Sequence, residues 1–195
     1  MRLILVRHGQ TKFNQQGKVQ GWCDSPLTEL GIKQAKATKK VLDRYTIDAV
    51  YTSTSERAID TASIIIENRN LKLNYDKRLK ELNFGIFEAS PNDIKDHFNY
   101  RLLQNQRDYS RVCGESVEMV QKRSLSFMNE ILQKHKEDET ILIVSHGYYI
   151  WRFIIDFVYN GEIVNLPMKN ACYNIIELQN GKWVPIILNE VGKLE

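Results

Sequence analysis

The chain is poor in cysteine, in long apolar runs and in blocks of like charge, and each shortage excludes a class of protein. Only three of its 195 residues are cysteine, namely Cys23, Cys113 and Cys172. They are odd in number and far apart, which fits neither a disulfide scaffold nor paired zinc ligands and reads as inert thiols in a reducing compartment. The apolar run Leu3 to Val6 is too short for a signal core or a membrane span, and no other run could cross a bilayer. A cytoplasmic location is the expectation. The 27 basic and 24 acidic residues are spread along the chain and give a formal charge of +3, so no patch points to nucleic acid or to a membrane surface. No His, Asp or Glu cluster has metal-ligand spacing, and neither a metal nor another cofactor is expected. Repeats and low-complexity segments are absent, and the oligomeric state is not readable.

What is present is an ordinary globular composition, 43% hydrophobic, enough for one core and one domain over residues 1–195. Leu3 to Val6 is a continuous apolar run, the pattern of a strand buried on both faces of a parallel sheet. Thr28 suits the N-cap of a helix to about Tyr45 with Leu30, Ala37, Val41 and Tyr45 inward, Lys33, Lys36, Lys39 and Lys40 forming its solvated side. A strand at 48–52, a helix at 53–68 and a strand at 71–75 follow. Regularity returns in a helix at 116–136, a strand at 140–145 and a helix at 148–158. Strands at 171–178 and 183–188 close the chain through a turn at Asn180-Gly181. The alternation predicts an α/β fold, a three-layer sandwich with a mainly parallel central sheet and helices on both faces. Residues 83–113, with poor periodicity and aromatics among polar residues (Phe84, Phe87, Phe98, Tyr100, Tyr109), read as a small lid insertion.

Ligands of open α/β sheets gather beyond the carboxyl ends of the strands. Cationic or imidazole groups stand at three such exits, Arg7-His8-Gly9, Ser53 to Arg57, and Ser145-His146-Gly147. A phosphate ester dianion repels anionic nucleophiles and needs its oxygens neutralised during in-line displacement. Neutral imidazole can attack phosphorus, and arginine offers flat bidentate contacts to phosphate oxygens. Gly9 would allow close backbone approach, and helix starts after Ser53 and His146 would add amide donors.

These exits carry a resemblance to the histidine phosphatase superfamily, in its phosphoglycerate-mutase-like branch. Leu5-Val6-Arg7-His8-Gly9-Gln10-Thr11 with Asn14 matches its opening motif, whose histidine becomes phosphorylated. Gly21 to Thr28, Tyr51-Thr52-Ser53 with Arg57, Ala58, Thr61 and Ala62, Leu79-Lys80-Glu81-Leu82 with Gly85 and Glu88, Gly114-Glu115-Ser116, and Ser145-His146-Gly147 resemble later segments. The resemblance implies His8 as nucleophile and Arg7, Asn14, Arg57, His146 and Gly147 around the phosphoryl group. Glu81 would protonate the leaving oxygen and then activate water. The apolar flank of Leu79, Leu82 and Phe84 is compatible with a carboxyl that donates at neutral pH. Glu88 and Glu115 are the lesser candidates for that role. His97 and His135 match nothing and are read as surface residues, and Trp22 as loop packing. Ala89 and Cys113 depart from the family pattern, which has glycine there.

The implied activity is hydrolysis of phosphate monoesters of small organic molecules through a phosphohistidine, without metal. A cofactor-dependent phosphoglycerate mutase is the first alternative. Mutases of the family resemble a longer chain with a larger lid that carries adjacent arginines, whereas Asn83 to Cys113 is short and has no Arg-Arg pair; Lys95, Arg101, Arg107 and Arg111 keep this alternative open. A non-catalytic phospho-ligand-binding module is the second. The mixed lid aromatics and arginines suggest an organic phosphate with some apolar surface.

Overall fold

The computed structural model describes residues 1–91, 94 and 98–194, so the expectations for Lys95 and His97, and the side chain of Phe98, lie outside the described residues. The fold is a six-stranded sheet in the order β3-β2-β4-β1-β5-β6. β1 (Arg2–Arg7), β4 (Thr140–Ser145), β2 (Ala49–Thr52) and β3 (Leu73–Tyr75) run parallel, and β5 (Tyr173–Gln179) and β6 (Lys182–Glu190) complete the sheet antiparallel. The central parallel strands are apolar over residues 3–6 and 141–144 because both faces are covered there. Leu3, Leu5, Ile141 and Ile143 face α5 (Val117–Lys134) and α6 (Gly147–Phe157), while Ile4, Val6, Leu142 and Val144 face α2 (Glu29–Leu42) and α3 (Glu56–Ile66). This is the α/β architecture expected from the alternation.

Local chemistry sets the helix ends. The Thr28 side chain accepts from the Gly31 amide to cap α2, and Ser116 accepts from Met119 to cap α5. In α2 the buried face is Gly31, Ala35, Ala37, Thr38 and Leu42, and Leu30, expected inward, is exposed. Gly31 is where the chain crosses itself closely. A Cβ there would stand 2.1 Å from the Gln10 carbonyl oxygen, and one on Gly9 would stand 2.4 Å from that of Gly31. The closeness expected at Gly9 is thus to the first turn of α2, which presses the loop after β1 against the helix.

Two elements escaped the sequence pattern. α1 (Lys12–Gln15) is one turn built on a capping box between Thr11 and Asn14. α4 (Phe98–Gln106) lies inside segment 83–113, where Tyr100 and Tyr109 are buried against Phe87 in edge-on ring contacts. His135, expected at the surface, is nearly buried instead, between the Tyr51 hydroxyl at 2.9 Å and Glu139.

Ala89 (φ 61°) and Cys113 (φ 63°) both occupy the left-handed region, which accounts physically for the glycine that the resemblance expects at each. Ala89→Gly and Cys113→Gly should therefore each stabilise the fold by about 1 kcal/mol, read as a rise in the urea midpoint. An unchanged or lowered midpoint would contradict that strain.

Candidate active site

β1 and β4 are adjacent and parallel, and they send their connections to opposite sides of the sheet, β1 toward β2 and β4 toward β5. Arg7 pairs with Ser145, so the residues that follow, His8 and His146, emerge side by side with ring centroids 5.2 Å apart. The His8 amide donates to the Ser145 carbonyl and the His8 carbonyl accepts from Ala171, which pins its backbone on both sides. Its Nδ1 lies 2.8 Å from the Gly9 carbonyl oxygen. A carbonyl only accepts, so Nδ1 carries the proton and Nε2 holds the free lone pair.

Four cationic or imidazole side chains meet at this point. Arg57, on the first turn of α3, has no solvent exposure. Its Nη1 donates to the Cys23 carbonyl (2.9 Å) and to Asp24 (2.8 Å), and its Nη2 donates to the Gly21 carbonyl (2.7 Å). Arg7 reaches the Met168 carbonyl through Nη1, and Gly147 packs against it, with an added Cβ 3.2 Å from Arg7 Nε. His146 Nε2 pairs with the Ser53 hydroxyl at 2.8 Å. Among the described residues, Arg7 Nε, Arg57 Nε and His146 Nδ1 are buried without a partner. Each such group costs about 1–3 kcal/mol, so this cluster is built for an anion that collects the donors.

Burial, followed by the positive charges of Arg57 and Arg7, pushes the His8 imidazole well below its ordinary value. His146 is pushed down likewise by burial, then by Arg57, with His8 among the smaller causes. Burial also lowers Arg7, with Glu81 pulling the other way. Both imidazoles are therefore neutral at pH 7.

Glu81 is only 7% exposed, and its carboxylate faces polar donors rather than the apolar flank expected of it. It accepts from the amides of Leu82, Tyr148 and Tyr149, each at 3.0 Å. Glu81 thereby caps α6, the helix that starts at His146, and takes two of the amides expected to face a ligand. The first amide of α3, on Glu56, is likewise taken, by Asp24. Gly147 keeps its own amide without a protein partner among the described residues.

Asn14 stands apart. Its Oδ1 accepts from the Thr11 amide at 3.3 Å and from Asn170 at 3.0 Å, so the oxygen serves the α1 cap. Asn170 precedes Ala171, whose amide holds the His8 carbonyl, so Asn14 is linked to the cluster through that segment.

A supporting layer went unread in the sequence. Glu88 accepts from the amides of Gly21, Trp22, Cys23 and Phe84 at 2.8–3.1 Å, which shapes the loop whose carbonyls hold Arg57. Trp22, in that loop, is 42% exposed while its indole donates to the Glu81 carbonyl. Arg123 donates to the carbonyls of Arg78, Lys80 and Glu81 and to both oxygens of Glu115, which also accepts from the Asn83 amide. Glu88 and Glu115 are thus committed to backbone and to arginine. Their presence in the segments that resemble the family pattern was the available signal. Among the described residues no group of three or more His, Cys, Asp or Glu is placed to hold a metal, and no helix is long and apolar enough to cross a membrane.

A family model described as the histidine phosphatase superfamily (branch 1) matches residues 3–191. The chain is similar to phosphoserine phosphatase 1 of Hydrogenobacter thermophilus, 29% identical over 203 residues, covering 97% of this chain and 92% of that protein. It is also similar to the metal-independent phosphoserine phosphatase of Arabidopsis thaliana, 30% identical over 202 residues, covering 98% and 82%. Among solved structures, Bacillus stearothermophilus YhfR superposes with a TM-score of 0.89 at 32% identity, covering 100% of this chain and 99% of that one.

Two outcomes are expected. Arg123→Met leaves the 7%-exposed Glu115 carboxylate unpaired and should cost about 3 kcal/mol in chemical denaturation. Adding Glu115→Gln should restore part of that loss, and strictly additive losses would count against the ion pair. The second concerns pH. A histidine with a depressed folded value stabilises the fold above its unfolded value near 6.5, and that stability is lost as pH falls below it. His8 and His146 together should then remove up to about 3 kcal/mol per pH unit below pH 6, until the native imidazoles titrate. A stability flat from pH 7 to 5 in equilibrium unfolding would contradict neutral buried histidines.

Proposed function

Since the chain belongs to the histidine phosphatase superfamily, we propose that it is a phosphatase that hydrolyses phosphate monoesters of small organic molecules through a phosphohistidine on His8. The observation that carries the reading is the Nδ1 contact to the Gly9 carbonyl, which leaves Nε2 as lone-pair donor inside a cluster of arginine and imidazole groups. Arg7, Arg57, His146 and the Gly147 amide receive the phosphoryl oxygens, and Asn14 contributes through its amide nitrogen. Nε2 forms a bond to phosphorus while the bond to the ester oxygen breaks, and Glu81 passes a proton to the departing alcohol. Water then bonds to phosphorus as the N–P bond breaks, and its proton returns to Glu81. Alcohol and inorganic phosphate leave, and the residues end as they began. The arginines supply the charge neutralisation that a metal would otherwise provide. Residues 1–195 act as one catalytic unit, in a cytoplasmic setting that fits three free thiols.

His8→Ala should abolish phosphate release from a panel of monoesters together with the acid-labile phosphoenzyme, and a fully active variant would sink the mechanism. Glu81→Gln should slow alkyl phosphates by about 100-fold or more and 4-nitrophenyl phosphate far less, because a good leaving group needs no proton. Equal losses on both would remove Glu81 as the acid. Phosphoryl transfer between phosphoglycerates outpacing phosphate release would make the protein a mutase, and phosphate binding with no turnover would make it a binding module.

A further inference from the structure

In-line displacement places the leaving oxygen opposite His8 Nε2, beside the proton donor, and the alcohol continues outward from there. On this geometry the group beyond the leaving oxygen enters a cleft lined by two residues next to Glu81, Leu82 and Tyr148. Leu82 follows Glu81 in the chain, and Tyr148, whose amide binds the Glu81 carboxylate, forms the opposite wall. The cleft encloses about 510 Å³. Its other walls are aromatic, from Phe84, Tyr100, Tyr109 and Trp151, with Gln104 and Asn105 at its polar margin.

One cation lies in it. The Arg107 guanidinium stacks 4.2 Å from the centroid of the Trp151 ring and 5.9 Å from that of Tyr148. Its backbone is in the left-handed region (φ 51°), at the end of α4, which turns the side chain from the lid back toward α6. Arg107 has no ion pair among the described residues, unlike Arg78, Arg123 and Arg152, each of which is matched by a carboxylate. The Tyr148 hydroxyl in the same wall is buried, and the Arg107 guanidinium is the cation nearest to it. Stacking on two rings beside the Tyr148 hydroxyl holds the guanidinium plane in place, with no carboxylate among the described residues to neutralise it. A cleft with aromatic walls, a polar margin and an arginine without a carboxylate calls for a flat ring that ends in a planar anion.

Resting on the hydrolytic reading above, we propose that this cleft is the alcohol subsite and that it selects phosphate monoesters whose alcohol carries an aromatic ring bearing a carboxylate. The rings of Phe84, Tyr109 and Tyr148 take the aromatic body, and Arg107 pairs with the carboxylate at the far end. Arg107 is a specificity residue and has no part in the phosphoryl chemistry. The same cleft disfavours short aliphatic alcohols, which leave the aromatic walls and the arginine unfilled.

The test uses 4-carboxybenzyl phosphate, its neutral isostere 4-carbamoylbenzyl phosphate, and the aliphatic 3-carboxypropyl phosphate. A methylene insulates each leaving oxygen, so intrinsic reactivity is closely matched across the three. Wild-type kcat/KM should favour the carboxybenzyl ester at least about ten-fold over each of the others, the yield of one charge-assisted hydrogen bond or of one buried ring. Arg107→Met should collapse the preference over the carbamoyl ester to near unity and keep the preference over the aliphatic ester, with Arg107→Lys intermediate. Equal wild-type rates on the first pair, or a ratio that survives in Arg107→Met with an unchanged melting temperature, would overturn the assignment to Arg107. Equal rates on the carboxybenzyl and carboxypropyl esters would overturn the aromatic chamber. Calorimetric binding of the same esters to wild type and Arg107→Met separates the two readings. That order of affinities without phosphate release would support the subsite and sink the hydrolase, whereas release from all three at equal kcat/KM would do the reverse.

Discussion

The guanidinium of Arg57, wholly removed from solvent, is the constraint on which the site depends. A buried cation is tolerated only when it is satisfied, and here three carbonyl and carboxylate oxygens from residues 21, 23 and 24 answer two of its nitrogens. Those carbonyls point inward because Glu88 gathers the amides of the same loop from the other side. One carboxylate thus shapes a loop, the loop fixes an arginine, and the arginine presents its remaining Nε to the space beside His8. The same charge, added to burial, keeps both imidazoles neutral. The proposed nucleophile and the proposed anion cradle are therefore consequences of one arrangement of charge.

A second arrangement holds Glu81, the proposed proton carrier. Glu81 belongs to an irregular stretch between β3 and the lid, with no regular element to fix it. Arg123 supplies that fixation by binding the carbonyls on either side, and α6 supplies the rest by offering its first amides to the carboxylate. The helix that begins at His146 is thereby tied to Glu81, so two groups far apart in sequence keep one spacing. The cleft proposed for the alcohol is lined by Leu82 and Tyr148 at the same junction, which on that proposal couples proton delivery to the place where the leaving group rests.

Much of the fold was readable because parallel strands covered on both faces must be apolar at every position, as Leu3 to Val6 and Ile141 to Val144 are. Amphipathic helices that pack on such a sheet announce themselves too, as α3 and α5 did. α4 did not, since Phe98 to Gln106 mixes aromatic, amide and charged residues with only a short apolar pair at Leu102-Leu103. At the site, the residues at strand exits were readable because topology alone brings such exits together. The roles of Glu88, Glu115 and Arg123 were not, because each works by binding backbone groups of segments remote in sequence, and no spacing records that. Ala89 and Cys113 show the converse case, in which a departure from a family pattern marks a backbone strain that only the φ angles make plain.

The central claim is that the phosphoryl group visits His8 before it reaches water. Two in-line displacements invert phosphorus twice, whereas direct attack by water inverts it once. The stereochemical course of hydrolysis of an isotopically chiral thiophosphate monoester in labelled water tests this most directly. The account predicts net retention at phosphorus. Net inversion would contradict it and would leave His8 as a ligand of phosphate rather than its carrier.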